Sequence, residues 1–139
     1  GGHLWIGGGL GTTTWNGLTV GNGAATSASD NGVLLSSFSS LSSNGGDIFI
    51  KGAYTGLMDD TNGIALLPIS TINSGAGNIE ISGTNSATGS YNHGILLAAS
   101  ITSTSGYITL TGTTASTSAY GCLNRSIRTA GSVDIRTVN

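Results

Sequence analysis

The chain has little charge, proline, cysteine or aromatic content. Only 7% of its 139 residues are charged, four as Lys or Arg and six as Asp or Glu, and it has one Pro and one Cys. Four cations cannot neutralise many phosphates, which argues against nucleic-acid binding. No apolar run approaches about 18 residues, so no transmembrane segment is predicted. The lone Cys122 can form no internal disulfide and does not reveal a redox compartment.

The residues that replace charge are those of strands and turns. Glycine occupies 24 positions, and Ser, Thr and Asn supply most of the polar ones. These residues form helices poorly, whereas Thr, Ile, Val, Tyr and Phe suit strands that Gly and Asn turns connect. A disordered linker is the competing interpretation. The 37% hydrophobic content and the alternation in runs such as Ile79-Glu80-Ile81 favour an ordered all-β fold.

A block of the form Gly-x-apolar-x-apolar recurs along the chain. It begins at Gly2, Gly46, Gly77, Gly106 and Gly131, at spacings of 44, 31, 29 and 25 residues. Alternation predicts that its apolar positions face inward and stack between copies. This structural ladder comprises Leu4, Ile6, Ile48, Ile50, Ile79, Ile81, Ile108, Leu110, Val133 and Ile135. The interleaved residues Trp5, Phe49, Glu80, Thr109 and Asp134 are predicted to face outward.

Two further apolar positions recur within each period. A second block follows Gly32, Gly63, Gly94 and Gly121, and a third apolar position comes six or seven residues later, at Phe38, Ile69, Ile101 and Ile127. About three strands and 25–31 residues per turn describe a parallel β-helix, expected to be right-handed. Residues 1–139 are predicted to form one solenoid segment that is internal to a longer array. Residues 12–28 are predicted to be an extra strand or loop that projects from the first turn.

An enzyme is the first alternative function. In order, Asp59-Asp60, Asn92-His93-Gly94 and Arg125-Ser126-Ile127-Arg128 resemble the acid pair, histidine loop and basic motif of the polygalacturonase family. The Asn-Thr-Asp motif of that family is absent, and the last two motifs lie closer together than in the family. His93 also aligns with Asn31 and Asn62 as a recurring corner. We therefore expect no enzyme and assign no catalytic residue.

Ligand sites are sparse in the sequence. Asp59, Asp60 and Asn62 could offer oxygen atoms to calcium, but a solvated turn explains them better, so neither a metal nor a cofactor is predicted. Cys122 aligns with Val33, Ile64 and Ile95 and is predicted to be a small core residue. Exposed aromatic side chains could stack on sugar rings, which makes Trp5, Trp15 and Tyr54 the candidate glycan contacts.

The repeat resembles the β-helical passenger regions of filamentous haemagglutinin-type adhesins. It is most similar to giant repetitive surface proteins of Bacteroidota, including gliding-motility adhesins, in which segments like Gly1–Gly9 and Thr14–Val20 occur. The resemblance implies export, an extracellular or outer-surface location, and a structural or adhesive function. The stacking of the repeat predicts that each unit contacts adjacent repeats of the same polypeptide, and an adhesive function adds other rods or surface glycans as candidate partners.

Overall fold

The computed structural model describes residues 1–123 and 127–138, and within them the fold is all-β, as predicted. The described residues form no helix, and hence no helix long and apolar enough to cross a membrane. Their strands are β1 (Leu4–Ile6), β2 (Gly8–Trp15), β3 (Leu18–Gly23), β4 (Ala25–Ser27), β5 (Val33–Leu35), β6 (Ser40–Ser42), β7 (Ile48–Tyr54), β8 (Asn62–Leu66), β9 (Thr71–Asn73), β10 (Ile79–Asn85), β11 (His93–Leu97), β12 (Ser100–Ser103), β13 (Ile108–Thr114), β14 (Cys122–Leu123), β15 (Ile127–Thr129) and β16 (Val133–Val138).

All of these strands except β2 and β3 belong to three parallel sheets, and from β4 onward the chain enters the three sheets in rotation. Sheet 1 contains β1 and β4, which both pair with β7, followed by β10, β13 and β16. Sheet 2 runs β5, β8, β11, β14, and sheet 3 runs β6, β9, β12, β15. Each pass of the chain thus adds one strand to every sheet. We use the word pass below for one such set of three strands.

The pairing register places equivalent apolar residues of successive passes opposite one another. In sheet 1 the two rows are Leu4, Ile48, Ile79, Ile108, Val133 and Ile6, Ile50, Ile81, Leu110, Ile135. The six central side chains of these rows are at most 1% exposed and join residues of the other two sheets in one core. Leu4 and Ile6 pack partly against it. Val133 and Ile135 are 46% and 43% exposed because no described strand lies beyond β16.

Phe38 and Ile69, which were predicted to mark the third strand of their passes, lie outside the strands of sheet 3. Both lie in corners with left-handed backbone, at φ of 65° and 66°, and are 80% and 67% exposed. Leu41 and Ile72 take the inward positions instead, in register with Ile101. An offset of six or seven residues from the preceding glycine reaches β12 but stops short of β6 and β9, because the corners before β6 and β9 are longer than the corner before β12.

The projecting element is a hairpin with different bounds from those predicted. Strands β2 and β3 pair antiparallel from Gly8 to Gly23, and the turn residues Asn16 and Gly17 have φ of 46° and 77°. Two consecutive positive values suit a two-residue hairpin turn of the primed type. Residues 25–27, predicted to project, instead return to sheet 1 as β4 beside β7. The predicted segment 12–28 rested on the extra length of the first period, which does not show where the inserted residues end.

Hydroxyl groups close the corner that leads from sheet 3 back to sheet 1. Ser43 Oγ donates to the Gly46 carbonyl, and Ser74 Oγ donates to the Gly77 carbonyl at 2.6 Å. Ser103 Oγ reaches the same Gly77 carbonyl at 2.9 Å. Since Ser43, Ser74 and Ser103 are buried, these bonds offset the cost of desolvating their hydroxyls.

A close approach between sheets 1 and 2 requires glycine. Gly52, Gly83 and Gly112 lie opposite one another in sheet 1. A methyl group on Gly83 would collide with the Gly94 carbonyl oxygen and lie 2.7 Å from Ile95 Cγ1. These positions therefore exclude side chains because backbone from the next sheet occupies the space.

Replacing an inward ladder residue should destabilise the whole stack. Ile79 is fully buried, so Ile79→Ala should lower the free energy of unfolding by about 2–5 kcal/mol, and Ile79→Asp by more. The matched control is Ser82→Asp, on the outward face of the same strand opposite Lys51, which should change stability by less than about 0.5 kcal/mol. Urea unfolding followed by circular dichroism measures all three. Equal losses in Ile79→Asp and Ser82→Asp would contradict the assigned faces.

Adding one methyl group should discriminate between two glycines. Gly83→Ala should cost about 1–3 kcal/mol because the Gly94 backbone cannot move without disturbing sheet 2. Gly2→Ala should be close to neutral, since nothing lies within 4 Å of the added carbon. Thermal unfolding of both variants tests this contrast, and a Gly83→Ala protein as stable as its parent would refute the close approach.

Candidate ligand-binding cleft

A cleft lies on the outward face of sheet 1, where the hairpin turn meets the strands. Its volume is about 130 Å³. Two of its residues, Trp15 and Asn16, come from the hairpin, and the others come from three successive passes. The lining residues are Trp15, Asn16, Asp47, Ile48, Asn78, Glu80 and Tyr107. The register of sheet 1 and the fold of the hairpin thus create the cleft together.

An aromatic cluster attaches the hairpin to the sheet. Trp5 and Phe49 face each other in register and stack with ring centroids 4.4 Å apart and planes inclined by 2°. The ring centroid of Trp15, on the hairpin, lies 5.6 Å from that of Trp5 and 6.0 Å from that of Phe49. The His3 ring packs edge-on against Trp15, with 5.7 Å between centroids. These contacts hold Trp15 at the cleft, because aromatic rings at such separations attract one another.

The two tryptophans proposed as glycan contacts therefore lie together but have different environments. Trp15 lines the cleft and is half-buried. Trp5 does not line the cleft, and its indole N–H is buried without a hydrogen-bond partner among the described residues. Of the two tryptophans, Trp15 alone lines the cleft.

Hydrogen bonds fix the polar wall of the cleft. Asp47 Oδ2 accepts from Asn16 Nδ2 at 2.6 Å, and Asp47 Oδ1 accepts from the Asn78 backbone N–H at 2.7 Å. Asn78 Oδ1 in turn accepts from the Tyr107 backbone N–H at 3.1 Å. One side-chain acceptor in each pass thus receives the N–H of the next pass, which locks the side chains against the backbone.

Tyr107 and Glu80 form the remaining side of the cleft. The Tyr107 hydroxyl donates to Glu80 Oε1 at 2.8 Å. This bond to a carboxylate, with burial and the charges of Glu80 and Asp47 adding to it, raises the pKa of Tyr107 to about 12. The phenol therefore stays protonated and keeps the carboxylate oriented at physiological pH.

Tyr54 is not available to a glycan, which corrects its assignment as a contact. Its side chain is fully buried, and its hydroxyl accepts a hydrogen bond from the Met58 N–H at 3.1 Å. It lies at the end of β7, on the same side of the strand as Ile48 and Ile50. The alternation that assigned those two isoleucines to the core continues to Tyr54, so the signal for burial was present in the sequence.

The acid pair of the enzyme alternative lies in a turn that is bonded to the backbone of Ser90. Asp59 Oδ1 accepts from the Ser90 N–H at 2.7 Å, and the Asp60 N–H donates to the Ser90 carbonyl at 3.0 Å. Asp60 also has a left-handed φ of 56°, as turn residues often do. No three His, Cys, Asp or Glu residues in the described part of the chain are grouped so that they could hold a metal ion.

The histidine of the same alternative lies in a corner. His93 is opposite Asn62 in register, is 8% exposed and stacks on Tyr120 with ring centroids 6.2 Å apart. Its Nδ1 atom lies 3.1 Å from the Tyr120 backbone nitrogen, which donates to it. Arg125 and Ser126 of the basic motif lie outside the described residues. His93 thus connects two passes in the same way as other corner side chains.

Cys122 lies opposite Ile95 in sheet 2 and packs partly against the core. Burial raises the pKa of its thiol to about 11 from an ordinary value of 9.0. Because the thiolate is the reactive form, a raised pKa lowers the reactive fraction at every pH below it.

Alkylation of Cys122 should therefore be slow in the folded protein. At pH 8 iodoacetamide should react at least about tenfold more slowly than with the urea-unfolded chain. The folded rate should keep rising up to about pH 11, whereas the unfolded rate should level off near pH 9. Mass spectrometry of quenched samples gives both profiles. A folded rate that levels off near pH 9 would show an exposed thiol and a wrong register for β14.

The chain matches no protein-family model, no curated protein and no solved structure. Its function is therefore inferred from its own strand register, buried rows and cleft.

Proposed function

We propose that this chain is a segment of a right-handed parallel β-helix, with about three strands and 25–31 residues per turn, in a large secreted or cell-surface fibrous protein. Its function in that protein is structural: a rigid spacer whose outer surface makes adhesive contacts. The observation that carries the proposal is the rotation of the strands through three parallel sheets in constant register. Each pass of the described chain is one turn of the proposed solenoid.

Register supports a rigid rod because every turn covers the core of the one before. Ile48, Ile79 and Ile108 follow one another at the parallel-strand spacing of about 4.8 Å. Neighbouring turns are then joined both by backbone hydrogen bonds and by packed apolar side chains. Bending the rod would disturb the hydrogen bonds and the packing together. The right hand follows from the strong preference of parallel crossover connections. The principal partners of each turn are the adjacent repeats of the same polypeptide.

The composition of the outer face supports an extracellular adhesive surface. Outward positions carry Ser, Thr, Asn and aromatic residues, and the net charge of the chain is only −2. Such a surface can meet other rods or neutral glycans without strong electrostatic repulsion. Together with the resemblance to repetitive surface adhesins, this favours a location outside the cell or on a bacterial outer surface.

A carbohydrate-binding module is the second candidate, because the cleft combines Trp15 with two carboxylates. A polysaccharide-degrading enzyme has less support, since Asp59 and His93 already serve as acceptors for backbone N–H groups. Release of reducing sugar from a polysaccharide panel, lost on Asp60→Asn, would favour the enzyme over the spacer.

Cryo-electron microscopy of the native material that contains this chain tests the proposal. We expect a continuous rod with an axial repeat of about 4.8 Å and three flat faces in cross-section. A compact particle with an open cleft around Asp60 and His93 would contradict the spacer and revive the enzyme.

A further inference from the structure

We propose that the cleft between the hairpin and sheet 1 binds a pyranose sugar that is uncharged or carries an amino group. The inference deepens the proposed function by assigning a ligand class to one place on the adhesive surface. It concerns the hairpin and three neighbouring passes, so the rod would stand even if the cleft bound nothing.

The hairpin is a costly addition whose tip is fixed at the cleft. It inserts between β1 and β4, which together would otherwise run along β7 as one strand. Its turn residue Asn16 holds a left-handed φ of 46°, and the Asn16 amide is bonded to Asp47. A turn tied down by an aromatic cluster on one side and a carboxylate on the other is preorganised for binding, which reduces the entropy lost when a ligand enters.

Trp15 and Tyr107 supply the apolar surface that a sugar ring needs. Trp15 is half-buried against Trp5 and Phe49, and Tyr107 is 40% exposed. The axial C–H groups of a pyranose form an apolar face that packs flat on such rings, while its hydroxyls remain directed towards polar groups. Rigid aromatic side chains give this contact at a small entropic cost.

The polar wall is rich in acceptors that suit hydroxyl donors. Asp47 and Glu80 each keep acceptor capacity beyond the bonds they make to Asn16, Asn78 and Tyr107. A sugar hydroxyl that donates to either carboxylate would make a charge-assisted hydrogen bond. Asn78, between the two, offers an amide that can donate to a ring or hydroxyl oxygen.

Charge decides which sugars fit. The lining contains two carboxylates and neither Lys nor Arg, so it disfavours uronic acids, sulfated sugars and nucleotide phosphates. An ammonium group on an amino sugar would be attracted by the same carboxylates. The cleft thus selects against the acidic substrates that polygalacturonase-like enzymes degrade.

Three probes test the ligand class: oligomers of glucosamine, of N-acetylglucosamine and of galacturonic acid, titrated while tryptophan fluorescence is followed. We expect glucosamine or N-acetylglucosamine oligomers to bind at micromolar to millimolar concentration, and galacturonic acid oligomers at least about tenfold more weakly. Failure of the first two to bind the folded protein, or equal binding of the acidic oligomer, would overturn the proposal.

Variants locate the binding. Glu80→Gln should weaken glucosamine binding at least about tenfold, because it removes the charge that attracts the ammonium group. Asp134→Asn is the matched control: it neutralises a carboxylate in the same outward row, two strands from Glu80 and outside the cleft, and should change affinity less than about twofold. Equal affinity in Glu80→Gln and its parent would place any binding elsewhere.

Trp15→Ala and Tyr107→Phe separate the ring contact from folding. Trp15→Ala should abolish binding, but it also removes an anchor of the hairpin. Tyr107→Phe keeps the ring and removes only the hydroxyl that orients Glu80, so it should weaken binding several-fold while strand content by circular dichroism stays unchanged. If the unsubstituted protein binds none of the sugars while its strand content is intact, the ligand proposal fails and the rod is unaffected. Loss of the parallel stack itself would count against the rod instead.

Discussion

The rest of this structure depends on one constraint, the in-register pairing of parallel strands from successive passes. The hydrogen-bond ladder fixes the distance between strands and the residue that lies opposite each position. Once Ile79 is opposite Ile48 and Ile108, every other position of β10 is fixed as well. An apolar residue is then covered by its equivalents above and below. The inward side chains of a short pass are therefore fully buried, although one pass alone has little core.

The same constraint explains how a chain with so little charge satisfies its polar groups. Asn31 Oδ1 accepts the Asn62 N–H in sheet 2, as Asp47 does for Asn78 at the entrance to sheet 1. Serine hydroxyls close the corner after sheet 3. Because the backbone N–H of the following pass always lies one strand spacing away, a short side chain with an acceptor atom is long enough to bond to it. Long charged side chains would gain nothing in these corners, which accounts for the abundance of Asn and Ser.

Much of sheet 1 could be predicted from the sequence because its rows follow a period of two from a glycine. Ile50 and Ile81 needed only alternation and a count between glycines. Phe38 could not be placed in this way because the lengths of the corners are not evident from the sequence. Phe38 itself adopts a left-handed backbone conformation in its corner, which is unusual for a bulky residue and could not be predicted. The spacing of Leu41 from the next glycine would have been the better guide to the third sheet.

The cleft was largely beyond sequence reasoning. Asp47, Asn78 and Tyr107 each follow the leading glycine of the recurring block in three successive passes, but the three residue types differ and form no binding motif that the sequence could reveal. They meet because the register aligns their strands and because an Asn-Gly turn folds Trp15 back over the sheet. Trp15 was predicted as a glycan contact because it is an aromatic residue expected at the surface, whereas the residues around it in the cleft depend on the register and the hairpin together.

Methyl NMR measures the register most directly. In a sample with labelled isoleucine methyl groups, the account predicts cross-relaxation peaks linking Ile48 to Ile79 and Ile79 to Ile108, although these residues are 31 and 29 positions apart in sequence. Assignment by single Ile→Val substitutions identifies each peak. Peaks that instead link Ile79 to residues outside this row, or their absence from a folded sample, would contradict the in-register stack.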